Sequence, residues 1–219
     1  MRNAFRFFPI VLMALAFLCA CAGRPAAPDA KNVLFLDDFS QSNSGWTQQK
    51  NDSGTIEYAN AYFHILVNKP ATLLLANPGK SFQGDVSIEV DARKLDGSDD
   101  NYIGVLCHYQ NPDNYYMLMV TSDGYSGIAM RKDGQDTLIS PGLKFLKMDG
   151  IKTGNATNHI RADCVGERLT LFANGKQVSL AYDQSLTGGD AGLAVRSGKL
   201  EGVVDIRFNN FRVTRPTQP

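Results

Sequence analysis

The sequence has no excess of either charge: 22 Lys and Arg stand against 22 Asp and Glu. A basic surface for nucleic acid or anionic lipid headgroups is thereby excluded. Histidine is scarce, with three in 219 residues, and none is spaced with another His, Cys or acid as a metal site. Only one long apolar run exists, at the N-terminus, which excludes a polytopic membrane protein. No phosphate loop, dinucleotide fingerprint, nucleophile elbow or Ser/His/Asp spacing occurs. From Val33 onward no helix-length stretch repeats its apolar residues at a 3.6 period, which argues against α-helical and α/β folds. Aromatics make up 10% of the chain and are spread along it, which argues against disorder.

What is present is alternation at period 2. In Asp85–Arg93, Val86, Ile88, Val90 and Ala92 point one way and Asp85, Ser87, Glu89, Asp91 and Arg93 the other. That pattern predicts a strand with one buried and one wet face. Residues 162–165 and 167–173 repeat it. Residues 102–110 and 115–122 are apolar on both faces, as central strands are. Turn signals separate these runs at 77–79, 111–114, 123–124, 133–134, 174–175 and 188–189. Asn174-Gly175 is the strongest, because both central residues of a type I′ hairpin need positive φ. Residues 143–158 read as a loop with a short strand or a single helical turn. The whole predicts an all-β, two-sheet antiparallel sandwich of about a dozen strands.

The N-terminus reads as an address. Arg2 and Arg6 lead into an apolar run from Ile10 to Ala20, too short to span a bilayer. It ends Leu18-Cys19-Ala20-Cys21, which resembles the lipobox of bacterial lipoproteins. The resemblance implies a signal peptide over 1–20 and acylation of Cys21. Residues 21–32, rich in Pro and Ala, read as a flexible tether. The chain is then expected to be exported and lipid-anchored to the cell membrane or, by Ala22 after the Cys, to an outer membrane. The folded domain is expected over 33–214, with a tail at 215–219.

The order of motifs carries a second resemblance. Asp37-Asp-Phe-Ser40 and Ser44-Gly-Trp46 open the domain; the run Gly104–Tyr116, Ser122-Asp-Gly-Tyr125, the run Asn158–Gly166, the run Leu169–Gly175, Gly189-Asp-Ala-Gly-Leu193 and Phe208-Asn-Asn-Phe-Arg-Val213 follow. Their order resembles the concanavalin A-like, laminin-G-like jelly-roll domains of bacterial surface proteins, over nearly all of 33–214. This fold hosts lectins, glycanases and adhesion modules alike. A more distant resemblance is to 3-keto-glycoside hydrolases, in the early Gly-Trp and a Gly-x-x-x-Arg strand. Here that strand reads Gly104-Val-Leu-Cys-His108, with His in place of Arg, and the opening Asn-Gly-Lys is replaced by Asp37-Asp-Phe-Ser40.

Candidate residues follow. Glu89 and Asp91, two apart on one strand face, are candidate catalytic carboxylates, with His108 beside them if all three meet in one cleft. The competing reading is a solvated face of surface ion pairs, Arg161 with Asp163 and Glu89 with Arg93. Trp46, Tyr58, Tyr102, Tyr115, Tyr116 and Tyr125 offer flat faces on which sugar rings stack, although Trp46 is expected in the core. Strands 86–93, 102–110, 114–122 and 159–165 are expected to neighbour one another in a concave sheet. Asp91, His108, Tyr116, Arg161, Asp163 and Tyr125 are then the candidate ligand-binding residues. Cys107 and Cys164 both share the parity of core residues and, in an oxidising compartment, predict a disulfide; two buried free thiols are the alternative. The jelly-roll resemblance also implies a structural calcium tying first strand to last, with Asp37 or Asp38, Asp205, Asn209 and Asn210 as oxygen ligands; hydrogen bonding between those strands is the alternative. No other cofactor is expected. The expected function is a lipid-anchored, non-enzymatic glycan-binding module. The alternatives are a glycoside or 3-keto-glycoside hydrolase and an adhesion lipoprotein that binds an envelope protein.

Overall fold

The computed structural model describes residues 32–200 and 202–216. The signal peptide of 1–20, Cys21 and nearly all of the tether lie outside the described residues. Among the described residues sixteen strands occur in two antiparallel sheets. One sheet holds β1 (Val33–Asp37), β2 (Gln49–Asn51), β3 (Gly54–Ala59), β4 (Tyr62–Val67), β6 (Val86–Gly97), β12 (Thr157–Val165), β13 (Arg168–Ala173), β14 (Lys176–Tyr182) and β16 (Val204–Thr214). The other holds β5 (Leu73–Ala76), β7 (Asn101–Asn111), β8 (Asn114–Val120), β9 (Tyr125–Lys132), β10 (Gln135–Leu138), β11 (Leu146–Lys147) and β15 (Asp190–Ser197). The strands beyond the expected dozen include very short ones, such as β2 and β11, whose period cannot be read from two or three residues.

The nine-stranded sheet runs β14-β13-β12-β6-β16-β4-β3-β2, with β1 beside the second half of β16. A register shift at Asn209/Arg212 marks where β16 exchanges β4 for β1 as its neighbour. The seven-stranded sheet runs β10-β9-β8-β7-β15-β5, with β11 on β9. The core lies between the sheets. Val86, Ile88, Val90 and Ala92 face Ile103, Val105, Cys107, Leu118 and Val120 across it, all buried. Trp46 is in this core too, its indole N–H donating to Asp37 at 2.9 Å. The Asn174-Gly175 turn joins β13 to β14 with φ of 51° and 81°, as a type I′ hairpin requires. Residues 141–147 supply a 3-10 turn and the short β11.

The expectation of one sheet holding 86–93, 102–110, 114–122 and 159–165 is corrected. β6 pairs β12 in one sheet, and β7 pairs β8 in the other. Parity says which face a residue occupies, not which sheet its strand joins. The Cys107–Cys164 disulfide is formed, and it links β7 to β12 across the core.

Candidate functional site

The sandwich has two outer faces, and their chemistry differs. On the nine-stranded sheet, β6, β12 and β16 present a ladder of charges. His159 lies between two carboxylates, its Nδ1 2.8 Å from Asp91 and its Nε2 3.6 Å from Glu89. Arg212 pairs with Glu89 from the other side. Asn210 donates to Asp91 at 2.8 Å, and Ser87 donates to Asp163 at 2.6 Å. Arg161 lies 3.2 Å from Asp163 and stacks 3.8 Å above the Phe172 ring. His64 repeats the arrangement, 2.7 Å from Asp205 and 3.4 Å from Glu57.

This lattice has electrostatics opposite to those of an acid–base pair. The hydrogen bond from His159 holds Glu89 down, to about 2, against the cost of burial. Asp91 is lowered by the same His. In return, Asp91 first and Glu89 second raise His159 to about 9. A glycosidase general acid needs a carboxyl raised toward neutrality. Glu89, Asp91, Arg161 and Asp163 therefore share one face, as expected, but Asp163 is paired with Arg161, Glu89 with His159 and Arg212, and Asp91 with His159. His159 and Arg212 complete the lattice. His159 was not singled out in sequence, although it shares the parity of Arg161 in β12.

His108 and Tyr116 are not on that face. His108 sits in β7 at a bulge, with φ of 49° and only 6% exposed. Its Nδ1 donates to the Leu186 carbonyl at 2.9 Å, and burial lowers its pKa, so the ring is neutral. Strand parity breaks at a bulge, which is why alternation misplaced it. Tyr116 is 0% exposed and points into the core, the opposite of the expected ligand surface. Its hydroxyl donates to Asp183 and accepts the Leu186 N–H at 3.0 Å, tying down the 183–186 loop. The run Tyr115-Tyr116 hid this: of two adjacent tyrosines, the second is the inward one. Tyr125 is partly exposed under the Lys147 ammonium, 5.7 Å from the ring centre.

The suggested calcium ligands do not converge. Asp37 accepts from Phe39 N and Trp46 Nε1, and Asp38 caps Ser40. Asp205 is held by His64, Asn209 donates to Ala61 O, and Asn210 turns to Asp91. These residues do not fit a cation between the terminal strands. Among the described residues no cluster of three or more His, Cys, Asp or Glu is arranged to hold a metal.

The outer face of the seven-stranded sheet carries a groove. Its rows follow from register: Leu73 pairs Arg196, which pairs Tyr102; Ala194 pairs Gly104, which pairs Met119, then Gly127; Leu106 pairs Met117, then Ala129; Tyr115 pairs Arg131. Small residues at Gly104, Gly127, Ala129 and Ala194 leave a depression. Phe145, from the segment between β10 and β11, folds over Gly127 and packs 5.1 Å from Tyr102. The result is a groove of about 270 Å³ lined by Leu73, Tyr102, Tyr115, Met117, Met119, Ala129, Leu138, Phe145, Arg131 and Arg196, among others. Burial raises Tyr102 and pushes Tyr115 up to about 12, so both phenols stay neutral donors. Arg131 is neutralised by Asp136 at 2.8 Å, and Arg196 lies 5.8 Å from the Tyr102 ring centre.

The groove adjoins a second, polar depression of about 500 Å³, lined by Asn77, Lys80, Gln83, Tyr109, Gln110 and Asp190 among others. Tyr109 of the one stacks on Tyr115 of the other, 5.9 Å apart and 25° from parallel. Burial raises Asp190 to about 6, although backbone N–H groups of Ala191 and Lys80 bind its two oxygens. Tyr102 and Tyr115 were among the aromatics singled out in sequence. Tyr109, Phe145, Arg131 and Arg196 were not. The signal that could have found them is the second apolar face of β7, β8, β9 and β15.

No family model matches the chain, and no curated protein matches it. Solved structures do. A protein of unknown function with a galectin-like fold from Bacillus subtilis superposes with a TM-score of 0.65 at 8% identity, over 86% of this chain and 98% of that one. A Bacillus licheniformis β-glucanase gives 0.60 at 11% identity, over 83% and 98%. The carbohydrate-binding module CBM66 from Bacillus subtilis gives 0.52 at 17% identity, over 78% and 95%. The fold is thus a concanavalin A-like jelly-roll sandwich, of a class found in both carbohydrate-binding modules and glycoside hydrolases.

Proposed function

We propose that this protein is a lipid-anchored, extracytoplasmic carbohydrate-binding module without hydrolytic activity, and that its site is the groove on the seven-stranded sheet. The observation that carries this reading is the groove itself. It sets aromatic faces from Tyr102, Tyr115 and Phe145 against the donors of Arg196. Sugar rings present apolar C–H faces to aromatic rings and hydroxyls to polar neighbours, so this is the chemistry they require. The fold's likeness to a carbohydrate-binding module and a β-glucanase supports it. The groove's one carboxylate, Asp136, is bound to Arg131, which speaks against bond cleavage there. Anchoring rests on the lipobox-like Leu18–Cys21 run.

The test is affinity electrophoresis of the full chain in detergent through gels containing soluble polysaccharides. At least one polysaccharide is expected to retard the parent, with the retardation lost in Tyr102→Ala and unchanged in Tyr125→Ala. Equal retardation of all three would place binding elsewhere. Cys21→Ser is expected to move the protein from the membrane to the soluble extracytoplasmic fraction. Retention in the membrane would overturn the anchor.

A further inference from the structure

Building on the glycan-binding reading of the groove, we infer that it selects acidic saccharides, with Arg196 binding a sugar carboxylate while the ring packs against Tyr102 and Phe145. The groove is lined by two arginines, and they differ. Arg131 is met by Asp136 at 2.8 Å and by Asp113 at 3.7 Å. Arg196 has no such partner: among the described residues no carboxylate lies within ion-pair distance of it. On the other sheet Arg161 and Arg212 each have an acid, as Arg131 has here.

Position makes the free charge useful. Arg196 is opposite Tyr102 in the β15–β7 pairing and opposite Leu73 in the β15–β5 pairing. It is half-buried, its guanidinium lies over the Tyr102 ring, and it lines the groove. The apolar walls lower the local dielectric, so a carboxylate docked there would be attracted more strongly than in open water. A guanidinium offers parallel N–H donors that match both oxygens of a carboxylate. A neutral sugar leaves this cation without a counter-charge in a partly apolar cleft. A hexuronate supplies the counter-charge and, on the same ring, a C–H face for the aromatics. The polar depression beyond Tyr109 gives room for the next residue of a chain.

The experiment runs the full chain in detergent through native gels containing polygalacturonate, its fully methyl-esterified form, neutral galactan, dextran sulfate or polyglutamate. Polygalacturonate is expected to retard the parent and the methyl ester to do so at least about tenfold less, since esterification removes the charge and keeps the ring. Arg196→Gln should abolish the difference between acid and ester without changing the melting temperature. Arg196→Lys should keep part of it, and Arg131→Gln should keep most of it. If the ester and neutral galactan bind as well as the acid, the acidic preference is overturned while glycan binding stands. If no polysaccharide binds, both fall. If Arg196→Gln binds the acid as the parent does, or if dextran sulfate and polyglutamate bind as well as polygalacturonate, simple ionic adsorption replaces the proposal.

Discussion

Cys107 on β7 and Cys164 on β12 are bonded across the core, so one covalent link joins the two sheets. Both are fully buried, and the bridge closes a separation of 57 residues. On the chain-entropy model such a loop contributes roughly 4 kcal/mol, by restricting the unfolded chain. The double substitution Cys107→Ala/Cys164→Ala is therefore expected to lower the unfolding free energy from urea titration by an amount on that scale, and the midpoint with it. Equal midpoints for parent and double variant would show that the bridge contributes nothing.

A second tie is polar. Asp37 accepts from the Trp46 indole at 2.9 Å and from the Phe39 backbone at 2.7 Å, both bonds buried. Phe39 holds a left-handed φ of 61°, which the second bond helps to maintain. Asp37→Ala leaves two buried donors without acceptors, each costing about 1–3 kcal/mol. A fall in melting temperature and a shift in tryptophan emission are expected, and Trp46 is the sole tryptophan that can report it. An unchanged emission spectrum and melting temperature would refute the role given to this carboxylate.

Sequence patterning exposed the sandwich but not the site, for a physical reason. Alternation in 85–93 and 159–165 is strong because one face is charged, and those strands fall where expected. The groove strands lack that contrast. In β8, Tyr116, Leu118 and Val120 fill the core, while Tyr115, Met117 and Met119 floor the groove. A strand apolar on both faces has no parity signal, so nothing marked which tyrosine faced outward. Charged residues drew attention to the other sheet, where Glu89, Asp91 and Asp163 turn out to be paired with His159, Arg212 and Arg161. Arg196 gave no signal because what distinguishes it is a place in the groove without an acid beside it, and that is visible only in three dimensions.

The His159 lattice predicts a pH dependence. His159 is raised from 6.5 to about 9 in the fold, so its contribution is fully present below pH 6.5 and lost as pH rises through 9. Glu89, lowered from 4.5 to about 2, contributes above pH 4.5 and loses that contribution as pH falls through 2. Partial exposure of the ring screens the effect, so a modest slope is expected. The parent's melting temperature should decline between pH 6.5 and 9.5 more steeply than that of His159→Gln. Parallel curves would mean that His159 is not charged in the fold at neutral pH.

The groove depends on residues with no side chain to spare. A Cβ at Gly127 would lie 2.7 Å from Phe145 Cε1, and one at Gly104 would lie 2.8 Å from Met117 Cγ. Neither glycine needs a positive φ, so the clash is purely spatial. Phe145 sits on a connecting segment, half-buried, and can swing aside; the β7 and β9 backbones cannot. Gly127→Ala should therefore move the Phe145 ring off its seat against Tyr102 and spoil one wall of the groove. A melting temperature within a few degrees of the parent's is expected, because the core side of β9 at Ile128 is untouched. Binding of any polysaccharide the parent retains should fall about tenfold, the scale of a displaced aromatic contact. Gly104→Ala should act more mildly, since Met117 is flexible and can repack. If Gly127→Ala keeps full binding, Phe145 is no part of the site, and the polar depression around Asp190 becomes the place to look.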